Sequence, residues 1–266
     1  MTDQQILEIV ANVPSWWHSI DLGHDIVTPG VKTLETLQAN LAAMRLPPLA
    51  GKSVLDIGAW DGFFSFASEQ LGAERVVALD HYVWSMDLVA QVHHFHECHT
   101  KGLKAPQWEN VPNVWRPEEL PGKRGFDAAH RALGSRVESR VEDFMANDLD
   151  ALGQFDVVLY LGVLYHMKNP LEALERLARV TREVAVIETT AVAVPGFEHL
   201  SLCEFYESDE LNADPTNWWG PNLTGLGGMC RAAGFSRVKT LVGPGDLRGL
   251  PAGQPHRFRA IVHAWK

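Results

Sequence analysis

Two aspartates follow apolar runs, and their positions suit the binding of a ribose-containing cofactor. Asp56 lies in the run Val54–Ile57, which breaks into a turn containing Gly58 and Gly62, and Asp80 ends the next apolar run. Open parallel sheets bind ligands at the carboxyl ends of their strands, where an acid on the second strand accepts hydrogen bonds from a ribose diol. We therefore predict that Asp80 binds the ribose and that Asp56 holds a cationic or hydroxyl-bearing part of the cofactor.

The turn after Asp56 departs from the fingerprint of dinucleotide-binding proteins. It reads Asp56-x-Gly58-x-Trp60-x-Gly62 and lacks the middle glycine. Glycine at 58 and 62 still lets the backbone turn sharply and approach a ligand, but Trp60 would crowd a pyrophosphate at the helix start. The pattern favours a cofactor without phosphates, contacted by Gly58, Trp60 and Gly62.

A further string, Gly162-Val163-Leu164-Tyr165-His166, follows the apolar run 155–161. Together with residues 54–66 and Asp80, this string resembles class I S-adenosylmethionine-dependent methyltransferases, and within them the branch of the tRNA wobble-uridine carboxymethyltransferases. The resemblance covers roughly residues 15 to 266. It implies a Rossmann-like α/β fold, with a mostly parallel seven-stranded sheet, a closing antiparallel hairpin and helices on both faces. It also implies S-adenosyl-L-methionine as the cofactor.

The resemblance implies further cofactor contacts near the strand ends. An acid after the third strand, Glu142 or Asp143, would accept a hydrogen bond from the adenine amino group, although one of the two could instead cap its own turn. The predicted contacts outside the glycine turn are Asp80, His81, Glu142, Asp143, Leu161, Gly162 and Tyr165.

Methyl transfer from a sulfonium is an in-line displacement, so most of its rate comes from positioning. A hydroxyl acceptor would also need a general base within about 3 Å. The candidate bases are His166, His18 and Glu188, in that order. His166 comes first because it follows a strand end and has a near-neutral intrinsic pKa, although it could simply fix its loop through a backbone hydrogen bond.

Residues 16–23 carry Trp17, His18 and Asp21 outside any predicted helix or strand. In the family that the chain resembles, this segment folds over the cofactor site and supplies part of the acceptor pocket, so we expect Trp17 and Asp21 to contact substrate. The alternative is that the tryptophans only anchor the amino-terminal helix.

Residues 214–222 contain Asn217, Trp218 and Trp219 between two prolines. Because prolines interrupt helices and strands, we predict an irregular segment. Its adjacent indoles would offer a rigid aromatic platform to a planar or sugar-like acceptor.

Tyr165 and Arg259 raise a second possibility for the donor. In the wobble-uridine relatives, the tyrosine of this string and an arginine in the last strand bind the carboxylate of a carboxylated cofactor. The lysine that those enzymes carry before the first strand has no counterpart here, since the sequence reads Trp17-His18-Ser19. We therefore expect ordinary S-adenosylmethionine, with Arg259 serving the substrate. The expected function is methylation of a small polar acceptor, such as a sugar or secondary metabolite, at a hydroxyl oxygen. Methyl or carboxymethyl transfer to the tRNA wobble uridine and non-catalytic cofactor binding are the alternatives.

His93, His96 and His99 recur on one side of a predicted helix. Their spacing would admit a divalent ion. No carboxylate or cysteine pair completes an obvious ligand set, so we predict no metal.

The apolar periodicity also predicts the remaining elements and the domain layout. Strands are expected at 54–57, 75–79, 137–141, 155–161, 184–188, 238–242 and 258–265, and helices at 3–13, 33–44, 170–180 and 222–233. Residues 1–50 would form amino-terminal helices and an active-site cover, and residues 51–266 the methyltransferase domain, with an insertion at about 90–132.

The composition fits one substantial hydrophobic core, with 46% hydrophobic residues in a chain of 266. The net charge of −10 disfavours nucleic acid as a partner without excluding it, because it repels polyphosphate. The sequence contains neither a signal peptide nor a long apolar run, so we expect a soluble, cytoplasmic protein without membrane contact. Three widely spaced cysteines suit a reducing compartment.

Overall fold

The computed structural model describes all residues from 1 to 266. The α-helices are α1 (Asp3–Ala11), α2 (Leu34–Met44), α3 (Phe63–Gln70), α4 (Leu88–Thr100), α5 (Arg124–Leu133), α6 (Leu149–Leu152), α7 (Pro170–Val180) and α8 (Leu223–Ala232). The strands are β1 (Ser53–Ile57), β2 (Arg75–Asp80), β3 (Glu138–Val141), β4 (Phe155–Leu161), β5 (Thr181–Ala193), β6 (Cys203–Phe205), β7 (Trp219–Pro221), β8 (Arg237–Val242) and β9 (His256–Trp265).

Seven strands form one sheet in the order β3-β2-β1-β4-β5-β9-β8. Parallel pairing joins β1 to β2, β2 to β3 and β4 to β5, whereas β9 runs antiparallel to both β5 and β8. Strand β4 is apolar along nearly its whole length, as is typical of a parallel strand covered on both faces. The predicted fold class, a mostly parallel Rossmann-like sheet with a closing antiparallel hairpin, is confirmed.

The chain divides into two compact units. The first comprises residues 1–42 and 46–146, and the second residues 43–45 and 147–266. The first unit therefore carries β1 to β3, and the second carries β4 to β9. The division predicted from the sequence, at residue 50 with an insertion at about 90–132, stays a prediction.

In the first unit, local signals set the helix starts. Thr2 forms a capping box with Gln5 at α1, and the Asp87 carboxylate accepts a hydrogen bond from the backbone N–H of Ala90 at the start of α4. The long connection between β2 and β3 has a small hydrophobic core of its own, formed by Met86, Trp108 and Val114. This connection is therefore packed around buried side chains.

In the second unit, two predictions about strands need correction. Residues 219–221 form β7, which pairs antiparallel with β6, so the prediction of a wholly irregular segment at 214–222 is wrong there. Pro221 is tolerated because it ends a strand in a sheet of only two strands. Strand β5 continues beyond Glu188 to Ala193 because its second half pairs with the first half of β9.

None of the helices is both long enough and apolar enough to cross a membrane.

Candidate cofactor and acceptor sites

In the first unit, Asp80 ends β2 and joins the two loops that follow β1 and β2. Its Oδ2 accepts a hydrogen bond from the backbone N–H of Trp60 at 3.0 Å, and its Oδ1 accepts one from Val83 at 3.1 Å. Burial raises the pKa of Asp80 to about 6, although these backbone donors oppose the shift. The backbone N–H groups of His81 and Trp84 also hydrogen-bond to this carboxylate.

Asp56 is more enclosed than Asp80. Its carboxylate accepts a hydrogen bond of 2.6 Å from the Ser65 hydroxyl on α3 and is only 2% exposed. Burial raises its pKa to about 7, and the nearby charge of Asp80 contributes to the rise. The Asp56 side chain therefore connects β1 to α3 through this hydrogen bond.

The glycine turn between β1 and α3 has a backbone that few residues adopt. Gly58, Trp60 and Gly62 all have positive φ, at 78°, 50° and 88°. A Cβ at Gly62 would lie 2.7 Å from both Phe66 and Phe126, so this position also requires glycine for space. The buried indole Nε1 of Trp60 has no hydrogen-bond partner in the protein.

Asp61 lies in the same turn and was not among the predicted site residues. Its Oδ2 accepts hydrogen bonds from the backbone N–H groups of Trp17 at 2.7 Å and His18 at 2.8 Å. The Trp17 ring then stacks on Trp60, with centroids 4.6 Å apart and planes within 5°. Asp61 therefore fixes the amino-terminal aromatic segment onto the glycine turn.

The predicted base His18 is buried beside this stack. Its Nδ1 has no hydrogen-bond partner in the protein, and burial, together with the charge of Lys32, lowers its pKa to about 3. Its imidazole is therefore neutral at physiological pH and takes up a proton only with difficulty. Asp21 is exposed, and its carboxylate accepts a hydrogen bond from Gly23 within its own loop.

The remaining predicted cofactor residues of this unit lie after β2 and β3. His81 packs edge-on against Trp115, with ring centroids 5.5 Å apart. Asp143 accepts a hydrogen bond from the backbone N–H of Met145, as an acid capping its own turn does. Glu142 lies 3.6 Å from the guanidinium of Arg140.

The histidines of α4 do not converge on a common centre. His93 and His96 are exposed, and Phe95 stacks on His99. The chain contains no group of three or more histidine, cysteine or acidic residues arranged to hold a metal ion.

In the second unit, Leu161 ends β4, and Gly162 follows with φ at 75° and donates its N–H to the backbone oxygen of Glu188. Tyr165 and His166 stand in the one-turn 3-10 helix Leu164–His166. A Cβ at Gly162 would lie 3.5 Å from the Arg259 guanidinium and 3.6 Å from the Tyr165 hydroxyl. The predicted residues Gly162, Tyr165, Glu188 and Arg259 are thus neighbours.

The guanidinium of Arg259 is engaged on all three of its nitrogens. Nε and Nη2 donate to the two carboxylate oxygens of Glu188, and Nη1 donates to the Thr190 hydroxyl at 2.9 Å. The guanidinium also lies 4.8 Å from the ring centroid of Tyr165. Glu188, a candidate base in the sequence, is therefore the counter-ion of Arg259.

His166 has a different environment. Its Nδ1 lies 3.0 Å from the backbone oxygen of Thr216 and 2.9 Å from the Thr216 hydroxyl, which in turn donates to Asp214 at 2.7 Å. Burial lowers the pKa of His166, while the carboxylate of Asp214 acts in the opposite direction. Neither Asp214 nor Thr216 was a predicted site residue, because both lie about 50 positions from His166 in the sequence.

The tryptophan segment is tied to the His166 loop. The backbone N–H of Trp218 donates to the backbone oxygen of Tyr165 at 2.8 Å, and the indole N–H of Trp219 donates to the backbone oxygen of Lys168 at 3.2 Å. Phe205, missed in the sequence, is 53% exposed and lies 4.9 Å from Trp219 between ring centroids. Phe205, Trp218 and Trp219, called here the aromatic platform, are joined to the loop that carries His166.

Asn217 is not part of the platform's accessible surface. It is 1% exposed, and its amide donates to the backbone oxygens of Leu211 at 2.7 Å and Asp214 at 3.2 Å. Its place is inside the loop that precedes the platform.

The order of the strands and the closing hairpin define the fold of the class I S-adenosylmethionine-dependent methyltransferases. The chain belongs to the methyltransferase domain family, which it matches over residues 32–240. The predicted class and its cofactor, S-adenosyl-L-methionine, are confirmed at this level.

Two relatives that the chain matches carry the same name. The chain is 28% identical over 197 residues to a tRNA U34 carboxymethyltransferase of Helicobacter pylori (strain G27), covering 73% of this chain and 60% of that protein. It is 24% identical over 163 residues to a protein of the same name from Syntrophotalea carbinolica, covering 60% and 38%. The chain thus spans 38% to 60% of the length of these two relatives.

Among solved structures, the N-terminal domain of EvdMO1, determined in the presence of SAH and D-fucose, has the same fold. The TM-score is 0.58 at 19% identity, covering 100% of this chain and 97% of that one.

Proposed function

We propose that this protein transfers a methyl group from S-adenosyl-L-methionine to a hydroxyl oxygen of a small polar acceptor, such as a sugar or a secondary metabolite. The observation that carries the proposal is the hydrogen bonding of His166, which engages Nδ1 and leaves Nε2 to accept a proton. A hydroxyl acceptor loses its proton as the new bond forms, so a neutral imidazole at this position suits the reaction.

The donor would be held by residues of the first unit. The Asp80 carboxylate lies at the end of β2, where it would accept the ribose hydroxyls, and the turn from Gly58 to Gly62 offers backbone without bulky Cβ atoms at its glycines. The unpartnered, buried Nε1 of Trp60 is a further donor in this turn. These features fit an uncharged ribose better than a diphosphate.

Of the three candidate bases, His166 is the one that its surroundings favour. Glu188 is ion-paired with Arg259, and burial together with Lys32 lowers the pKa of His18 to about 3. His166 is half-buried, and its ring is oriented by Thr216.

The acceptor would lie on the aromatic platform. Exposed and half-buried aromatic rings pack against the faces of sugars and planar rings. The lysine ammonium of Lys168, 5.2 Å from the Trp218 ring centroid, borders this surface. Because the EvdMO1 domain was determined with D-fucose, hydroxylated monosaccharides are the first acceptors to test.

We further propose that residues 1–50 form the active-site cover and residues 51–266 the methyltransferase domain. Asp61, which binds the backbone of Trp17 and His18, supports a cover that is fixed to the glycine turn.

Carboxymethyl transfer to tRNA is the second candidate, favoured by the names of the relatives and by the proximity of Tyr165 and Arg259. It requires Arg259 to bind the extra carboxylate of the donor. Glu188 already supplies a carboxylate to that guanidinium, which supports the ordinary donor. A protein that binds the donor without turnover is the third candidate.

Calorimetric titration with S-adenosylmethionine, its demethylated product and the carboxylated analogue tests the donor. We expect the ordinary donor to bind more tightly.

A monosaccharide panel with radiolabelled methyl donor then tests the acceptor, and His166→Ala should slow turnover roughly 100-fold. The matched control is His256→Ala, at the exposed start of β9. Tighter binding of the carboxylated analogue would move the second candidate ahead, and donor binding without turnover on any acceptor would favour the third.

A further inference from the structure

We propose that Asp214 and Thr216 are positioning residues for His166: they hold its imidazole in the tautomer that is protonated on Nδ1, and they stabilise its protonated form. The proposal rests on the proposed function, in which Nε2 of His166 receives the proton of the acceptor hydroxyl.

The tautomer follows from the chemistry of the atoms around Nδ1. The backbone oxygen of Thr216, 3.0 Å away, can only accept a hydrogen bond, so Nδ1 must carry the hydrogen. The Thr216 hydroxyl, 2.9 Å away, already donates its hydrogen to Asp214 and can therefore only accept from Nδ1. Both neighbours impose the same tautomer, and the lone pair remains on Nε2.

Asp214 is itself held in place. Its Oδ1 accepts hydrogen bonds from both the hydroxyl and the backbone N–H of Thr216, at 2.7 and 2.9 Å. The buried amide of Asn217 donates to the backbone oxygen of Asp214 and to that of Leu211, which closes the turn. This use of Asn217 explains why its amide is turned into the loop instead of toward a substrate.

The charges facing His166 define what this arrangement does during proton transfer. The acceptor oxygen bonds to the methyl carbon, the carbon–sulfur bond breaks with its electron pair on sulfur, and the hydroxyl proton passes to Nε2. Positive charge then resides on the imidazole. Asp214 stabilises this charge through the Thr216 hydroxyl, whereas burial and the positive charge of Arg259 oppose it. The ring centroid of Tyr165 lies 4.2 Å from that of His166. Burial raises the pKa of Tyr165, so its hydroxyl is neutral at physiological pH.

Nuclear magnetic resonance of the full chain labelled with ¹⁵N-histidine tests the proposal without any acceptor. The His166 ring signals are those that disappear in His166→Gln. Above the pKa of His166, we expect Nε2 to have the chemical shift of an unprotonated nitrogen and Nδ1 that of a protonated one. Removing the negative charge in Asp214→Asn should lower the pKa of His166 by about 0.5 to 1 unit.

Three variants separate positioning from folding. Thr216→Val removes only the hydroxyl link and should lower the pKa of His166 in the same direction, whereas Thr216→Ser should restore it. Asp209→Asn is the matched control, because Asp209 lies in the same loop and bonds to Ser208 instead of Thr216. It should leave the pKa of His166 unchanged.

A proton on Nε2 in the wild-type protein would overturn the proposal. So would a pKa of His166 that is the same in Asp214→Asn, Thr216→Val and the wild type, or one that Asp209→Asn lowers equally. Donor affinity is measured on the same samples. Absence of S-adenosylmethionine binding would contradict the proposed function, while the ring shifts would still decide the tautomer.

Discussion

The imidazoles of His18 and His166 illustrate how the surroundings of a residue, more than its type, decide its chemistry. His18 is held through its backbone by Asp61, and its ring nitrogen Nδ1 is buried without a partner. His166 is held through its ring, so one nitrogen is oriented and the other stays available. Two histidines adjacent to aromatic residues therefore differ in their capacity to accept a proton.

In our proposal the choice of donor depends on Arg259, and the counter-ion of this residue gives a direct test. Glu188→Gln should release the guanidinium and increase the affinity for the carboxylated analogue relative to S-adenosylmethionine, by about tenfold or more. The chain offers a matched control two positions along β9. Arg257 is paired in the same bidentate way with Glu204, at 2.6 and 3.0 Å, and lies 5.3 Å from the Tyr206 ring centroid.

Calorimetry of both variants with both donors provides the comparison. Glu204→Gln should leave the preference unchanged. An unchanged preference in Glu188→Gln as well would show that Arg259 does not contact the donor.

We propose that Asp80 binds the ribose, so its raised pKa of about 6 should make donor binding dependent on pH. Ribose hydroxyls donate to the ionised carboxylate, so the dissociation constant should be flat above pH 7 and rise below pH 6, by up to about tenfold per pH unit. Asp80→Ala should weaken binding by about 1–3 kcal/mol. Isothermal titration between pH 5 and 8 measures both effects.

The variant Asp80→Asn distinguishes the effect of Asp80 on the pH dependence of donor binding from the effects of the neighbouring acids. Asp56 and Asp61 also have pKa values of about 7 and 6, so any slope that persists in Asp80→Asn belongs to them. An undiminished slope in that variant would remove Asp80 from the ribose site.

At the scale of elements, the glycine turn, the amino-terminal aromatic segment and α5 form one packed cluster around Asp61. An ideal Cβ at Gly125 on α5 would lie 2.2 Å from Asp61 Oδ1 and 3.4 Å from the Trp16 ring. The small size of Gly125 thus allows the helix to approach the carboxylate that binds Trp17 and His18.

Gly125→Ala should therefore lower the free energy of unfolding by about 1–3 kcal/mol, although alanine usually favours a helix. Urea denaturation, monitored by circular dichroism, measures this change in the free energy of unfolding. Gly228→Ala on α8 is the control: a Cβ there meets no atom within 4 Å, so the substitution should stabilise by up to about 1 kcal/mol. Equal stabilisation in the two variants would mean that α5 does not depend on this contact.

The sequence predicted the elements whose signal is local. Strand β4 and helix α7 were found because one is apolar throughout and the other has apolar residues at helical spacing. Strand β7 was missed, since three residues with a proline have no periodicity and exist only because β6 pairs with them.

The candidate site divides in the same way. Its acids at strand ends and the Tyr165-His166 string could be identified from type and position. Asp61 and Thr216 could not, because they hydrogen-bond to residues more than 40 positions away, and Asp214 acts on His166 only through Thr216.

At the scale of the whole molecule, charge bears on the choice between a small acceptor and tRNA. The net charge is −10, and carboxylates also neutralise many arginines individually. The arginines in ion pairs are Arg75, Arg116, Arg136, Arg140, Arg179, Arg182, Arg248, Arg257 and Arg259. Binding of a nucleic acid depends on cations that can replace the counter-ions of its phosphates, and paired arginines do this less well.

We therefore expect no complex with bulk tRNA in an electrophoretic mobility assay at about 150 mM salt and protein concentrations up to about 10 µM. The same assay at about 50 mM salt reveals weak electrostatic binding, and S-adenosylmethionine is present in both. Binding that is tight at low salt and falls steeply as salt rises would show that the phosphate backbone is contacted. In that case the tRNA reaction named for the relatives would lead, and Glu188→Gln would become the variant in which to seek it. The charge distribution, the paired guanidinium of Arg259 and the ring orientation of His166 together predict a different result. We expect the protein to methylate a monosaccharide and to cause no mobility shift of tRNA.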